Sequence, residues 1–167
     1  MLWLKFSLFG AQCHASTPDE GKNTFVAASD LALRLLALHE AFPAEDGLFA
    51  PPRSTFSPTK KEANVENINT IPGRDVFYMD CRVLPVYDLD DVLAAVGDIC
   101  AAVAKARGVE IAVDIVQHEQ AAPPTPADSE IVTRLLSRVR RVFGNEPQLQ
   151  GIGGGTVAAY LRRAGHR

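Results

Sequence analysis

The sequence predicts an α+β fold: a ferredoxin-like split βαβ unit, with an antiparallel four-stranded sheet and two helices on one face, followed by a fragment of an α/β domain. Segments of alternating apolar residues are interleaved with segments of helical apolar spacing, in the order strand, helix, strand, strand, helix, strand. A proline-rich run at residues 121–126 then marks a change in composition. Beyond it lie too few elements to bury a core of their own. We therefore expect two units, residues 1–121 and residues 122–167.

The first strand and the first helix follow from the spacing of their apolar residues. Residues 2–9 alternate between two sets, which is typical of a strand with two different faces: Leu2, Leu4, Phe6 and Leu8, and Trp3, Lys5, Ser7 and Phe9. The alternative for this segment is a signal peptide, but Lys5 interrupts the apolar run and no basic stretch precedes it. After a loop rich in glycine, proline and serine, a helix is expected from about Thr24 to His39.

The rest of the split unit contains two strands, a helix and a last strand. Ser54 to Glu62 is weakly strand-like, and Pro58 indicates an edge strand or a bulge. Val76 to Leu84 alternates strongly. Asp88 is expected to begin the clearest helix as its N-cap, and Gly108 fits the C′ position at its end. Residues 109–117 alternate again.

The second unit begins after the proline-rich linker. A helix is expected after Asp128, with Gly144 at its end. Gln148 to Ile152 is expected to form a short strand, and a glycine-rich turn over residues 153–156 leads into a final helix. This arrangement resembles the start of a larger α/β domain.

Composition and charge exclude several classes of protein. Apolar residues make up 47% of the 167 residues, charged residues make up 22%, and the net charge is −3, so no basic face for nucleic acid is expected. No stretch of 18 unbroken apolar residues is present, so no membrane span is expected. The three scattered cysteines, Cys13, Cys81 and Cys100, favour reduced thiols in a cytoplasmic protein.

His14 is the first candidate for chemistry. A histidine after a strand is often only a surface or capping residue. Here glycine, serine and proline surround it and fix a tight loop, the kind of loop that carries function. An imidazole held in this way could donate a hydrogen bond to a developing oxyanion.

Asp80 and Arg82 form the second candidate site, because residues two apart on a strand point to the same face. They could be no more than an ion pair on a solvated sheet face. Alternatively, Arg82 presents its planar fork to a substrate carboxylate, assisted by Asn69.

The third candidate is the run Gly151-Ile-Gly-Gly-Gly-Thr156 before the last helix. It could be a tight turn, or its N–H groups and the Thr156 hydroxyl could meet a carboxylate. A nucleotide cradle is disfavoured, because the run lacks the last glycine of G-x-G-x-x-G and the lysine of a P-loop. The remaining histidines, His39, His118 and His166, do not stand at metal-ligand spacing with other ligand residues.

Four motifs occur in order along the chain: G-A-Q-C-H-A-S-T-P followed by G-K-N, then N-T-I-P-G, D-C-R-V-L-P and G-G-T. Together they resemble the zinc metallopeptidase and deacylase family that contains succinyl-diaminopimelate desuccinylase, acetylornithine deacetylase, aminoacylase and glutamate carboxypeptidase. The resemblance spans nearly the whole chain, and the desuccinylase and deacetylase branch looks most similar. In that family the split βαβ unit is a lid inserted into a catalytic α/β domain, and it usually forms a homodimer.

The resemblance implies a role for each candidate. His14 would reach into the partner subunit's active site and stabilise the oxyanion of the tetrahedral intermediate. Asn69 and Arg82 would hold the carboxylate of an N-acyl amino acid or small peptide. Gly154, Gly155 and Thr156 would line the same pocket from the catalytic side, and Asn23 would shape the lid near the dimer contact.

The same resemblance implies two zinc ions in the full-length enzyme. Their usual ligands, and the general base, have no counterpart in this sequence, and His166 follows the Gly-Thr turn too closely to be the late histidine ligand. We therefore expect this chain to contain no metal ligands and to be inactive alone. The alternative is a self-standing ferredoxin-like module that binds a partner or a small molecule without catalysis.

Overall fold

The computed structural model describes residues 1–165. Within that range the chain forms short and long strands, helices and one 3₁₀ turn. In chain order they are β1 (Leu2–Phe9), β2 (Cys13–His14), the 3₁₀ turn Pro18–Glu20, α1 (Thr24–Leu36), α2 (Leu38–Ala41), β3 (Thr55–Lys61), β4 (Thr70–Ile71), β5 (Arg74–Arg82), α3 (Leu89–Arg107), β6 (Glu110–His118), α4 (Glu130–Phe143) and α5 (Val157–Arg163).

The main sheet has the order β3-β5-β1-β6, and every neighbouring pair is antiparallel. This is the strand order of a split βαβ unit, so the predicted ferredoxin-like α+β fold is confirmed. β3 lies at an edge, and its register with β5 shifts between Pro58 and Lys60. The edge position and the irregularity match what Pro58 indicated, because proline cannot donate a ladder hydrogen bond.

The core lies between the sheet and the two long helices. One face of β1 is completely buried and packs with the apolar stripes of α1 and α3. Phe6 stacks on Phe77 of the neighbouring β5, with ring centroids 4.7 Å apart. The opposite face of β1 carries Trp3 and Lys5, so the predicted alternation separates core from surface.

The two helices of the split unit, α1 and α3, each start at a side-chain cap. The Asn23 carboxamide oxygen accepts hydrogen bonds from the backbone N–H groups of Phe25 and Val26 at the start of α1. Asp88 accepts from the N–H of Asp90 at the start of α3, and Gly108 ends that helix with a φ of 65°. Asn23 thus stabilises α1 directly.

Some boundaries differ from the sequence expectation. α1 ends at Leu36 instead of continuing to about His39, and the separate turn α2 places Leu38 in the core at 2% exposure. β5 begins and ends two residues earlier than expected.

The expected strand over Gln148–Ile152 is wrong. Within the described residues this segment makes one isolated bridge, from Gly151 to Phe49, and no ladder. A strand requires a neighbouring strand for its hydrogen bonds, and in residues 1–165 the backbone partner of this segment is Leu48, in the loop before β3.

The part of the chain after the linker packs loosely against the split unit. α4 buries none of its residues. Among the contacts that tie this region to the rest are the hydrogen bond from the Gly151 N–H to the Leu48 carbonyl and the contact of Gly151 with the Phe49 ring. Across residues 1–165 no helix combines the length and the apolar character needed to cross a membrane.

Candidate functional site

His14 and Asn69 lie side by side on a small two-stranded ribbon. β2 pairs with β4, with His14 opposite Thr70, and the Ala15 N–H donates to the Asn69 carbonyl at 2.8 Å. The Asn69 carboxamide lies 3.2 Å from the His14 Nε2 atom. Both side chains are exposed, so the pair is available to a group outside this chain.

The hydrogen bonds of His14 determine its tautomer. The Ser16 N–H donates to Nδ1 at 3.1 Å, and the Ser16 hydroxyl lies 2.7 Å from the same atom. A nitrogen that accepts a backbone N–H carries no proton, so neutral His14 carries its proton on Nε2. The carboxamide orientation that complements this proton places the Asn69 oxygen toward the ring. In that orientation the Nε2–H is bonded to Asn69 and reaches another acceptor only when the carboxamide turns away, whereas the Asn69 amide N–H groups point away from the ring.

Two glycines let the ribbon approach the main sheet. A Cβ on Gly73 would lie 2.7 Å from the backbone nitrogen of Gln12, and a Cβ on Gly10 would lie 2.2 Å from the Lys22 carbonyl oxygen. Both distances are shorter than van der Waals contact allows, so no side chain fits. The Gly10 N–H donates to the Gly73 carbonyl at 2.8 Å and joins the two loops.

Arg82 lies at the other end of the main sheet and is held by three hydrogen bonds to two partners. Asp80 accepts from Nε at 2.6 Å and from Nη2 at 2.7 Å, and Nη1 donates to the Gly153 carbonyl at 3.1 Å. The hydrogen bonds that Arg82 donates to Asp80 raise the pKa of Arg82, which therefore remains a cation. The Trp3 indole N–H donates to the second oxygen of Asp80 at 2.9 Å.

The glycine-rich turn lies next to Arg82. A Cβ on Gly154 would be 3.9 Å from Arg82 Nη1, whereas a Cβ on Gly155 would be 3.2 Å from a Glu119 carboxylate oxygen. Thr156 precedes α5, and its hydroxyl does not cap that helix. The turn borders a cavity of about 700 Å³ that the linker, the loop before β3 and α5 also line. The structure thus brings Arg82 and Gly154 together, with Gly155 and Thr156 beside them.

The His14 and Arg82 groups do not meet within one chain. Phe9 of β1 pairs with Arg74 and Leu2 pairs with Cys81, so the groups lie beyond opposite ends of the eight-residue strand β1. At about 3.3 Å per residue they are about 25 Å apart. Asn69 accompanies His14 and not Arg82.

The described residues do not fit a zinc site. No group of three or more histidine, cysteine, aspartate or glutamate side chains comes together anywhere in residues 1–165. The His39 ring contacts the Leu36 carbonyl at 2.6 Å, and His118 lies 3.5 Å from Asp90. Burial raises the pKa of Cys81 to about 12 and that of Cys100 to about 11, so both remain thiols. His166 lies outside the described residues.

Sequence reasoning did not identify Trp3, Ser16 or the Gly153 carbonyl as parts of these groups. The alternation of β1 placed Trp3 on the outer face, the face that Asp80 and Arg82 share on β5. Only the register that pairs Trp3 with Asp80 makes it their neighbour. Ser16 follows His14 by two residues, a spacing at which a short polar side chain bonds locally.

Comparison with known proteins gives consistent results. A family model described as the peptidase dimerisation domain matches residues 1–108. The chain is 36% identical over 180 residues to an uncharacterised metallohydrolase of Methanococcus maripaludis, covering 99% of this chain and 43% of the relative. A metallohydrolase of Methanocaldococcus jannaschii gives 36% over 176 residues with the same coverage. The chain thus spans less than half the length of these relatives.

Solved structures share the fold. A hydantoinase/carbamoylase family amidase from Burkholderia ambifaria superposes with a TM-score of 0.67 and 26% identity, covering 93% of this chain and 35% of that one. A tripeptidase from Staphylococcus aureus has a TM-score of 0.70 at 16% identity, covering 99% and 41%. The family model matches well over half of the chain, and the metallohydrolase relatives align along nearly all of it. The chain therefore belongs to the peptidase dimerisation domain family.

Proposed function

We propose that this chain is part of a zinc-dependent amidohydrolase that acts as a homodimer and cleaves the amide bond of N-acyl amino acids or small peptides. Residues 1–121 are the dimerisation and lid domain, and residues 122–167 are part of the α/β catalytic domain. Metallohydrolase relatives along 99% of the chain and a family named for dimerisation support this proposal. Because the described residues do not fit a zinc site, we assign the metal to parts of the protein outside this chain.

The separation of the two side-chain groups carries the proposal. His14 and Asn69 are exposed and about 25 Å from Arg82, too far to contact one small substrate within a single subunit. A two-fold dimer brings the His14 end of one chain to the Arg82 end of the other whenever the two ends face each other across the axis. Each active site then takes His14 and Asn69 from one subunit and Arg82 from its partner.

The chemistry of each group suits its role. The His14 Nε2–H donates to the oxygen that becomes negatively charged when the amide carbonyl is attacked. Loss of one such donor typically lowers kcat by about 10²–10³-fold. Arg82 and Asn69 hold the substrate's carboxylate from opposite subunits, and Gly154, Gly155 and Thr156 line the pocket beside Arg82. Without the rest of the catalytic domain, this chain is expected to be inactive.

N-carbamoyl amino acids are a second substrate class within the same proposal. The amidase from Burkholderia ambifaria, described as a hydantoinase/carbamoylase, is 26% identical to this chain. An assay should therefore offer N-acetyl, N-succinyl and N-carbamoyl amino acids in parallel.

Subunit mixing tests the proposal in the whole metallohydrolase that contains this chain. Homodimers of His14→Ala and of Arg82→Ala should each be nearly inactive. After subunit exchange, half of the dimers are mixed, and one of the two sites in each has both groups intact. We expect about one quarter of the wild-type activity to return.

A mixture of His14→Ala with Asn69→Ala is the matched control. Both changes fall on the same side of the proposed interface, so no site in the mixed dimer is complete and activity should stay low. No recovery in the first mixture, with exchange confirmed by mass, would contradict a shared site. Recovery in the control mixture would show that His14 and Asn69 act from different subunits.

A further inference from the structure

We propose that Trp3 and Asp80 are positioning residues that fix the Arg82 guanidinium with its outer edge toward the glycine turn at residues 153–156. The inference deepens the proposed function and rests on it, since Arg82 is there the group that binds the substrate's carboxylate. It assigns a role to Trp3 and Asp80, two residues on the outer sheet face for which the motif resemblance implies no role.

Asp80 holds one side of the guanidinium. Its carboxylate oxygens accept from Nε at 2.6 Å and from Nη2 at 2.7 Å, which is the bidentate geometry that aligns the two planar groups. The Asp80 and Arg82 side chains are 25% and 38% exposed, so the pair is only partly shielded from water. An arginine engaged on this side leaves N–H bonds on both terminal nitrogens for other acceptors.

Trp3 fixes Asp80 in turn. Trp3 and Asp80 are direct partners in the β1–β5 register, and the indole N–H donates to Asp80 Oδ2 at 2.9 Å. An indole nitrogen can only donate, so this bond fixes the carboxylate rotamer without adding a competing charge. Lys5, on the same face of β1, is paired with Asp114 at 3.3 Å and does not compete for Asp80.

The far side of the guanidinium faces the turn. Nη1 donates to the Gly153 carbonyl at 3.1 Å, and a Cβ on Gly154 would lie 3.9 Å from the same nitrogen. The chain Trp3–Asp80–Arg82–Gly153 therefore runs from the sheet of the lid to the turn of the second unit. A carboxylate that enters beside the turn meets an arginine whose orientation is already set, and less conformational freedom is lost on binding.

A surface ion pair without this role would behave differently in two measurements. The first is the hydrogen exchange of the Arg82 side chain, which does not require an active enzyme. In the ¹⁵N-labelled 167-residue chain, the Arg82 Nε–H signal should exchange slowly with water. Asp80→Asn should speed that exchange by about tenfold, and Trp3→Phe should speed it by a smaller factor. Lys5→Met, which breaks a pair on the same sheet face, is the control and should leave the signal unchanged.

The second measurement uses the whole metallohydrolase with a substrate and its carboxamide analogue. Asp80→Asn should raise KM for the carboxylate substrate about tenfold, and Trp3→Phe should raise it by a smaller factor. In both variants kcat should stay within about twofold, because the ground state and the transition state lose the same contact. Turnover of the carboxamide analogue should not change, and Lys5→Met should match the wild type on both.

Equal losses on both substrates, or Arg82 exchange that is unaffected by Asp80→Asn, would overturn the positioning role. If the wild-type enzyme hydrolyses no N-acyl, N-carbamoyl or peptide substrate, the proposed function fails while the exchange measurement still decides whether Trp3 and Asp80 fix Arg82.

Discussion

Asp75 shows how a single residue can hold the loop that presents Asn69. Its side chain is 0% exposed, and both carboxylate oxygens accept from Lys61 Nζ at 2.8 Å. The Asn64 amide donates to the same carboxylate at 3.0 Å. Lys61 ends β3 and Asn64 lies in the loop that runs on to Asn69. A buried charge thus ties both the start of this loop and the last strand residue before it to the beginning of β5.

Lys61→Met should destabilise the chain by about 1–3 kcal/mol, because it leaves a buried carboxylate with Asn64 as its remaining side-chain donor. Lys60→Met is a matched control. Lys60 Nζ lies 4.5 Å from the Tyr78 ring centre and Lys61 Nζ lies 4.6 Å from that of Phe25, so each variant loses a similar cation–π contact. The control should lose at most about 1 kcal/mol. Urea unfolding measures the free energy of unfolding of both variants. Equal losses of stability would show that the Asp75–Lys61 pair contributes nothing.

At the scale of elements, two glycines differ in whether the surrounding structure leaves room for a side chain. A Cβ on Gly73 would meet the Gln12 backbone, whereas a Cβ on Gly97, in the middle of α3, would meet nothing within 4 Å. Gly73→Ala should cost about 1–3 kcal/mol, because backbone must move to make room. Gly97→Ala should stabilise the chain by about 1 kcal/mol, the helix propensity difference.

The two variants also differ in what they do to the ribbon of β2 and β4. Gly73→Ala should shift the ¹H–¹⁵N signals of His14 and Ser16, since Gln12 lies two residues before His14. Gly97→Ala should leave those signals in place. A Gly73→Ala variant with wild-type stability and unshifted signals would refute the close approach as the reason for this glycine.

The elements differ in how far the sequence predicts them. The four strands of the main sheet and the helices α1 and α3 have enough residues for a period of two or of 3.6 to be recognised, and all six occur where expected to within a few residues. β2 and β4 have two residues each, too few for any period, so their pairing was not predicted. The strand expected over Gln148–Ile152 is wrong because strand formation depends on a neighbour that the local sequence does not specify.

For the whole molecule, the sequence suggests candidate site residues but does not predict which of them lie together. Local motifs indicate each of the candidates: the His14 loop, Asn69, Arg82 and the glycine turn. Which of them meet depends on the register of β1 with β5, which places His14 and Arg82 beyond opposite ends of one strand. Register follows from pairing between distant segments, and a motif carries no information about it. The proposed joint action of Asn69 and Arg82 on one carboxylate therefore requires two subunits.

The proposed boundary between residues 121 and 122 leads to a prediction for the whole chain. The core cluster lies entirely within residues 2–109, whereas on α4 Ile131 and Leu135 are 64% and 62% exposed. Residues 1–121 alone should therefore unfold cooperatively. They should be less stable than the 167-residue chain by about 1 kcal/mol, because they lack contacts such as the hydrogen bond from Arg82 to Gly153. That corresponds to a Tm about 4–8 °C below the Tm of the 167-residue chain.

Exposed apolar surface provides the second readout of the same prediction. The 167-residue chain should bind the dye ANS through the open face of α4, and residues 1–121 should bind much less. The double variant Ile131→Glu, Leu135→Glu in the full chain is the control. It should lower ANS binding with no loss of Tm, because neither side chain is buried. A non-cooperative melt of residues 1–121, or a large drop in Tm in the double variant, would show that the second unit is part of one cooperative core and that the boundary is wrong.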